Sequence, residues 1–391
     1  MIPKKLNIVI VNILRSSAPS LFNFGIAVLG VQYCGATNWG ELVSIMIVLF
    51  IFSFTSNWGN QEYLIRAYSR NPAGINTLFY SSLVTRSVFL SLSLILLIFY
   101  PINISLPAIA LIVIQFIYNS FNSLIVYHQK FKQQLVAEFL GFLIILSAVI
   151  FVKSFSVFFF LTVYLFSLFV KSFVMILVLK PFPKRGVMRF DKTNIIAALP
   201  FFLIGLSGWV HSKVDIYVVD YFLTPADLAQ YQILITAYMM LGGISAFILH
   251  PFSKHIYRIN QLALTKIRKL LVLVGVPIVF VGSAMVWFFL NTYTVVRFDM
   301  EIYIVMTFAS LPPFLFIADI FSCYKLHQEM KVMWINFFGA AIIFILAIVL
   351  IPTYGIFGAT LGICTTNWLT LILYKTNKIN FTGLKTQQQS S

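Results

Sequence analysis

Apolar residues fall in blocks of about twenty along the whole chain, parted by short polar breaks. Uninterrupted runs such as Ile342–Ile351 lack the alternation of apolar and polar positions that a barrel strand needs over about ten residues. In lipid every backbone amide must be satisfied internally, which leaves helices. A bilayer core of about 30 Å takes roughly 20 helical residues. With that ruler spans are predicted near 6–32, 40–60, 76–99, 106–127, 135–152, 155–179, 195–222, 227–249, 270–290, 302–323, 332–351 and 354–374. The predicted fold class is therefore an all-α membrane protein of about twelve transmembrane helices.

The basic residues support this division. Short translocated loops lack Lys and Arg, and cytoplasmic loops keep them. Alternate connections hold Lys4 and Lys5, Arg66 and Arg70, Lys130 and Lys132, five cations between Lys180 and Lys192, five between Lys254 and Lys269, Lys325 and Lys331, and finally Lys375, Lys378 and Lys385. The opposite loops hold only Lys153 and Arg297. Both ends of the chain are thus expected in the cytoplasm of a bacterial inner membrane, with the chain crossing many times. The segment 180–192, KPFPKRGVMRFDK, joins spans six and seven. It separates an expected N-terminal six-helix lobe, 1–179, from a C-terminal one, 193–375. Six is even, so the two lobes enter the membrane in parallel, as in transporters built from parallel repeats. The tail 376–391 is polar and is expected to be disordered.

Composition sharpens the same picture. Apolar residues make up 60% of the 391 and charged residues 10%, far from the balance of a soluble domain. Lys4 and Lys5 precede an apolar stretch carrying Arg15, Pro19 and Asn23. No small-residue cleavage site follows a short apolar core, so this segment is expected to be a retained first helix. Cys34, Cys323 and Cys364 are too dispersed for a disulfide framework or a zinc site. The net charge of +16 sits mostly where anionic lipid head groups attract it, and no nucleic-acid partner is implied.

Four cations lie inside predicted spans: Arg15, Arg86, Lys171 and Lys213. Each costs at least about 2.5 kcal/mol at mid-bilayer. Arg15, Arg86 and Lys171 each fall near the middle of a first-half span, about 13 Å in. They are expected to line a wet cavity. On span one Asn12, Arg15, Ser16, Pro19, Ser20 and Asn23 form a polar stripe, and Asn12, Ser16 and Asn23 are its expected cavity-lining polar residues. Pro19 clashes with the Arg15 carbonyl, so a kink is expected there. Ser82, Arg86 and Ser93 share a face, as do Tyr164, Ser167 and Lys171. The alternative is that buried acids neutralise these cations, but Glu41 and Glu138 are placed near span ends.

Span seven, PFFLIGLSGWVHSKVDIYVVD, holds His211 and Asp215 four residues apart, candidates for a protonation-sensitive pair. Lys213 points about 200° away and is expected not to pair with Asp215. Asp319 is expected at the cytoplasmic end of span ten. The aromatics are scattered, and none is singled out for binding.

Three segments carry a family resemblance. VQYCGATNWGELVSIMIVLFIFSFTSNWGNQEYLIRAYS at 31–69 has Tyr33, Gly35 and Gly40 at a turn and Asn57, Gly59 and Arg66 closing span two. ALPFFLIGLSGWVHSKVDIYVVDYFLTPADLAQYQI at 198–233 carries Pro200, Asp215 and Tyr231. IPTYGIFGATLGI at 351–363 opens the last span. Together they resemble the O-antigen and oligosaccharide translocases, the Wzx-type flippases of the polysaccharide-exporter branch of the MATE-like superfamily. The resemblance implies a MATE-like fold and a lipid-linked oligosaccharide substrate, undecaprenyl pyrophosphate bearing an O-antigen repeat unit. It implies movement of that substrate from the cytoplasmic to the periplasmic leaflet by alternating access. An O-antigen polymerase and a chain-length regulator are the implied partners. Arg15, Arg86, Lys171 and, more weakly, Lys213 suit a diphosphate, because guanidinium and ammonium groups hold phosphate oxygens well. No cofactor is expected, and coupling to protons, sodium or the membrane potential is left open. A multidrug or cation exporter on the same fold is the first alternative. A membrane O-antigen polymerase or ligase is a second, although the short outward loops and the lack of an acidic pair or metal cluster argue against an enzyme.

Overall fold

The computed structural model describes residues 4–152, 155–180, 189–249, 261–326 and 328–376. The described chain is almost wholly helical. Its elements are α1 (Lys4–Cys34), α2 (Ala36–Asn57), α3 (Asn60–Arg70), α4 (Ile75–Arg86), α5 (Leu96–Phe99), α6 (Ile102–Ser120), α7 (Asn122–His128) and α8 (Phe131–Phe151). They continue as α9 (Val157–Leu179), α10 (Lys192–Phe222), α11 (Pro225–Leu249), α12 (Gln261–Tyr293), α13 (Met300–Ser310), α14 (Pro312–Lys325) and α15 (Glu329–Lys375). A tight 3₁₀ stretch, Ser87–Ile95, joins α4 to α5.

Helical stretches cover all twelve predicted spans. By length and apolarity, nine stretches among the described residues can cross a membrane, and one of these, Glu329–Lys375, holds two predicted spans. The protein is thus a multi-pass helical membrane protein. Its outer surface fits lipid: Ile98 is 79% exposed, Phe99 74%, Phe151 79% and Leu273 73%, a surface that water would not tolerate over so wide an area.

Local chemistry sets the breaks. Helix α2 ends where Trp58 and Gly59 both take left-handed backbone angles. The Trp58 ring stacks on Phe89 at 4.3 Å and Phe202 at 4.1 Å, and its Nε1 donates to the Ile195 carbonyl at 3.1 Å. Gly59 is required twice over, for its positive φ of 63° and because a Cβ there would stand 2.6 Å from the Phe202 amide nitrogen. Gly355, with φ 55° and ψ −135°, breaks α15 just inside the last predicted span, 354–374. Helices α1 and α10 continue through Pro19 and Pro200. At the start of α10 the Asp191 carboxylate accepts from the Thr193 amide at 3.0 Å and hydroxyl at 2.6 Å. These bonds hold the Asp191 carboxyl below its ordinary pKa.

The chain forms two compact units. The first comprises Met1–Leu206, Ile216–Met240 and Val286–Arg297, and the second Ser207–Asp215, Leu241–Met285 and Phe298–Ser391. Within the first, α8 packs on α9 and α1, and α6 on α9 and α2. Within the second, α13 and α14 pack on α15.

Candidate functional site

The first unit holds a compact group of charges on α1, α6, α8 and α9. Lys171 on α9 places its ammonium 2.7 Å from Glu138 Oε2 on α8. The Tyr118 hydroxyl on α6 donates to the other oxygen, Glu138 Oε1, at 2.5 Å. Lys171 Nζ also stands 5.8 Å from the centroid of the Tyr118 ring. Small residues make this approach feasible. A Cβ on Gly141 would meet Lys171 Cε at 2.1 Å, so the lysine stem lies in a slot that only glycine leaves open. Ser167, one turn before Lys171, donates to the Gly141 carbonyl at 3.0 Å and draws α9 onto α8. The shared face of Ser167 and Lys171 predicted from spacing is therefore the face toward α8.

Arg15 joins this group from α1. Its guanidinium carbon lies 5.1 Å from the Phe131 ring centroid, and it interacts electrostatically with Tyr118 and Glu138. Arg15 takes part in none of the ion pairs among the described residues. Among the described residues Glu138 pairs with Lys171 alone, so Arg15 is a positive surplus in the group. Glu138 corrects the expectation that its position near a span end removes it from the cations. It lies about two turns inside α8, is 8% exposed, and is the partner of Lys171. The expectation fails because a bilayer-depth ruler reads each span alone, while the neighbouring helix determines reach.

Arg86 is held elsewhere. It is 3% exposed and donates Nε to Ser82 Oγ at 3.2 Å and Nη2 to Ser120 Oγ at 2.9 Å. Its Nη1 reaches the Ser56 carbonyl at 3.4 Å and the Asn57 carbonyl at 3.3 Å, the exposed ends of α2's hydrogen-bond ladder. Its guanidinium carbon is 5.0 Å from the Phe116 ring centroid. Phe116 and Ser120 face Arg86, whereas Tyr118, two positions from each, faces the Lys171 group; residues two apart lie on opposite sides of a helix. The negative end of the α2 dipole serves as the counter-charge of Arg86, a role that spacing within α4 could not reveal.

In the second unit His211 packs against Gly339, where an added Cβ would meet the imidazole at 2.4 Å, and it bonds to the Asn336 backbone. Its Nδ1 is buried without a hydrogen-bond partner. Asp215 is 2% exposed, and Lys213 interacts electrostatically with it. Asp319 accepts from Lys375 at 2.8 Å and pairs with Arg268, joining α12, α14 and α15. Of the remaining predicted residues, Ser16 is half-buried and Asn23 is exposed on α1, while the Asn12 side chain lies outside the described residues. Sequence reasoning missed Glu138 and Tyr118 as members of the group. The Glu138–Gly141 spacing on α8, matched by Ser167–Lys171 on α9, was the available signal.

No protein-family model matches the chain, and no curated protein does. Solved structures do. The lipid II flippase MurJ, in an inward closed conformation, is similar with a TM-score of 0.64 at 13% identity, over 93% of this chain and 86% of that one. An inward-facing multidrug resistance MATE family transporter of the MOP superfamily gives 0.61 at 16%, over 95% and 96%. The MATE multidrug transporter DinF-BH gives 0.55 at 15%, over 96% and 94%. The chain therefore has the MATE-like fold over nearly its whole length. The protein is an all-α, multi-pass membrane protein of that architecture, and the proteins sharing it are transporters and flippases.

Proposed function

We propose that the protein is a flippase moving an undecaprenyl-pyrophosphate-linked O-antigen repeat unit from the cytoplasmic to the periplasmic leaflet of the inner membrane by alternating access. The observation that carries this is the surplus charge beside Tyr118: Arg15, outside every described ion pair, next to a Lys171–Glu138 pair. A diphosphate linkage supplies the negative charge that this setting lacks. The lipid tail stays in the bilayer, and the lobes 1–179 and 193–375 open the site to alternate sides. His211 and Asp215 are the residues through which a coupling ion would act. An O-antigen polymerase and a chain-length regulator would receive the product. A cation exporter fits less well, because Glu138 is already committed to Lys171 and Asp319 to Arg268 and Lys375.

The test is the sidedness of lipid-linked glycan in a deletion strain. Accumulation confined to the cytoplasmic leaflet, relieved by the intact gene and at least about tenfold less by Arg15→Ala at equal membrane abundance, is expected for loss of one charge-assisted phosphate contact. An unchanged distribution in the deletion strain overturns the proposal.

A further inference from the structure

The carboxylate in this group poses a question, because Glu138 has no evident place in a site for anions. Its two oxygens are used separately. Oε1 is held by the Tyr118 hydroxyl at 2.5 Å, and Oε2 takes Lys171 at 2.7 Å. A phosphate oxygen accepts from an ammonium at the same distance. The Lys171 stem is fixed in the Gly141 slot, and its head lies over the Tyr118 ring, where the π face would keep holding it if the carboxylate left. Arg15, a second cation on α1, interacts electrostatically with Glu138 and Tyr118 and lies against the Phe131 ring.

From this geometry we propose that Glu138 is a resident counterion that sets specificity: its carboxylate occupies the place on Lys171 that a phosphate oxygen of the substrate takes, so the two compete. This rests on the flippase reading above and names the residue that makes its site selective. An incoming group must carry enough charge to displace a carboxylate already hydrogen-bonded by a phenol. A diphosphate bridging Lys171 and Arg15 meets that requirement; a single phosphate or a carboxylate meets it poorly. Glu138 thereby keeps Lys171 from being permanently blocked by cellular monoanions, and from standing uncompensated in the membrane when no substrate is bound.

The test uses full-length protein purified in detergent, with inorganic pyrophosphate and inorganic phosphate as probes in calorimetric titrations. Glu138→Gln is expected to bind pyrophosphate about tenfold more tightly, since close charge pairs couple by at least that factor. It is expected to gain more for phosphate than for pyrophosphate, narrowing the discrimination between them. In a Lys171→Met background Glu138→Gln should bring little further gain. A merely structural glutamate would give weaker binding on removal. Unchanged, weaker or undetectable pyrophosphate binding by folded Glu138→Gln overturns the proposal. Should that variant fail to fold, Tyr118→Phe frees Oε1 and is expected to tighten pyrophosphate binding by a smaller step; no tightening there overturns it as well. Translocation of lipid-linked glycan is measured alongside. Tighter pyrophosphate binding without translocation keeps the role of Glu138 and removes the flippase reading, while translocation without tightening does the reverse.

Discussion

Arg86 and Arg15 look alike in sequence, one cation each near the middle of an apolar span, yet their environments assign them different work. Arg86 is enclosed by two carbonyls, two hydroxyls and a phenyl ring. Removing it strands the Ser56 and Asn57 carbonyls of α2 in a dry interior. Arg86→Ala is expected to lower stability by about 3 kcal/mol or more, with Arg86→Lys recovering little because an ammonium lacks the planar fork. Thermal unfolding of the purified variants checks this; an Arg86→Ala protein of normal stability but without transport would return Arg86 to the substrate site. The sequence made the presence of these cations legible, since lipid makes any intramembrane charge conspicuous. Their partners were not legible. Lys171 and Glu138 lie 33 positions apart, and only the packing of α8 on α9 through Gly141 brings them together.

Helix breaks show the same division between what a chain pattern holds and what packing decides. The described helices pass through Pro19, Pro107, Pro200, Pro277 and Pro352. A long apolar helix can absorb a missing amide, because neighbouring groups re-satisfy the freed carbonyl. Two breaks inside predicted spans fall at Trp58–Gly59 and at Gly355, where backbone angles leave the helical region altogether. The sequence placed the division between the last two spans at 352–353, two residues before this break. At Gly355 nothing lies within 4 Å of an added Cβ, so substitution there tests the backbone angle alone. Its φ and ψ belong to a region that side chains strongly disfavour. Gly355→Ala is expected to cost about 1–3 kcal/mol of stability, read as a lower unfolding temperature. A neutral result would mean that the break does not need this conformation.

Across the molecule, the alternation of basic loops makes a demand that the first unit can meet or fail: helix ends assigned to one side of the membrane should meet each other. The described contacts of the first unit join such ends. Helix α3, carrying Arg66 and Arg70, packs on α7, which leads into Lys130 and Lys132. The start of α10, just after the basic linker, bonds to the same end: Asn194 accepts from the Tyr63 hydroxyl at 2.8 Å and donates to Ser81 Oγ at 2.9 Å. At the other end the turn between α1 and α2 meets the turn between α10 and α11. Trp39 Nε1 donates to Gln232 at 3.2 Å, and Gly40 leaves no room for a Cβ beside the Pro225 carbonyl. Among the described connections of the first unit, those poor in cations therefore cluster apart from those rich in them. Packing groups the ends; their sides are an expectation from the charges, since Lys and Arg resist translocation. With Cys34, Cys323 and Cys364 replaced by alanine, Lys132→Cys should react with a membrane-impermeant thiol reagent only after the cytoplasmic face is opened. Arg297→Cys should react from outside in intact cells. Reversed labelling would invert the orientation, and with it the proposed direction of transport.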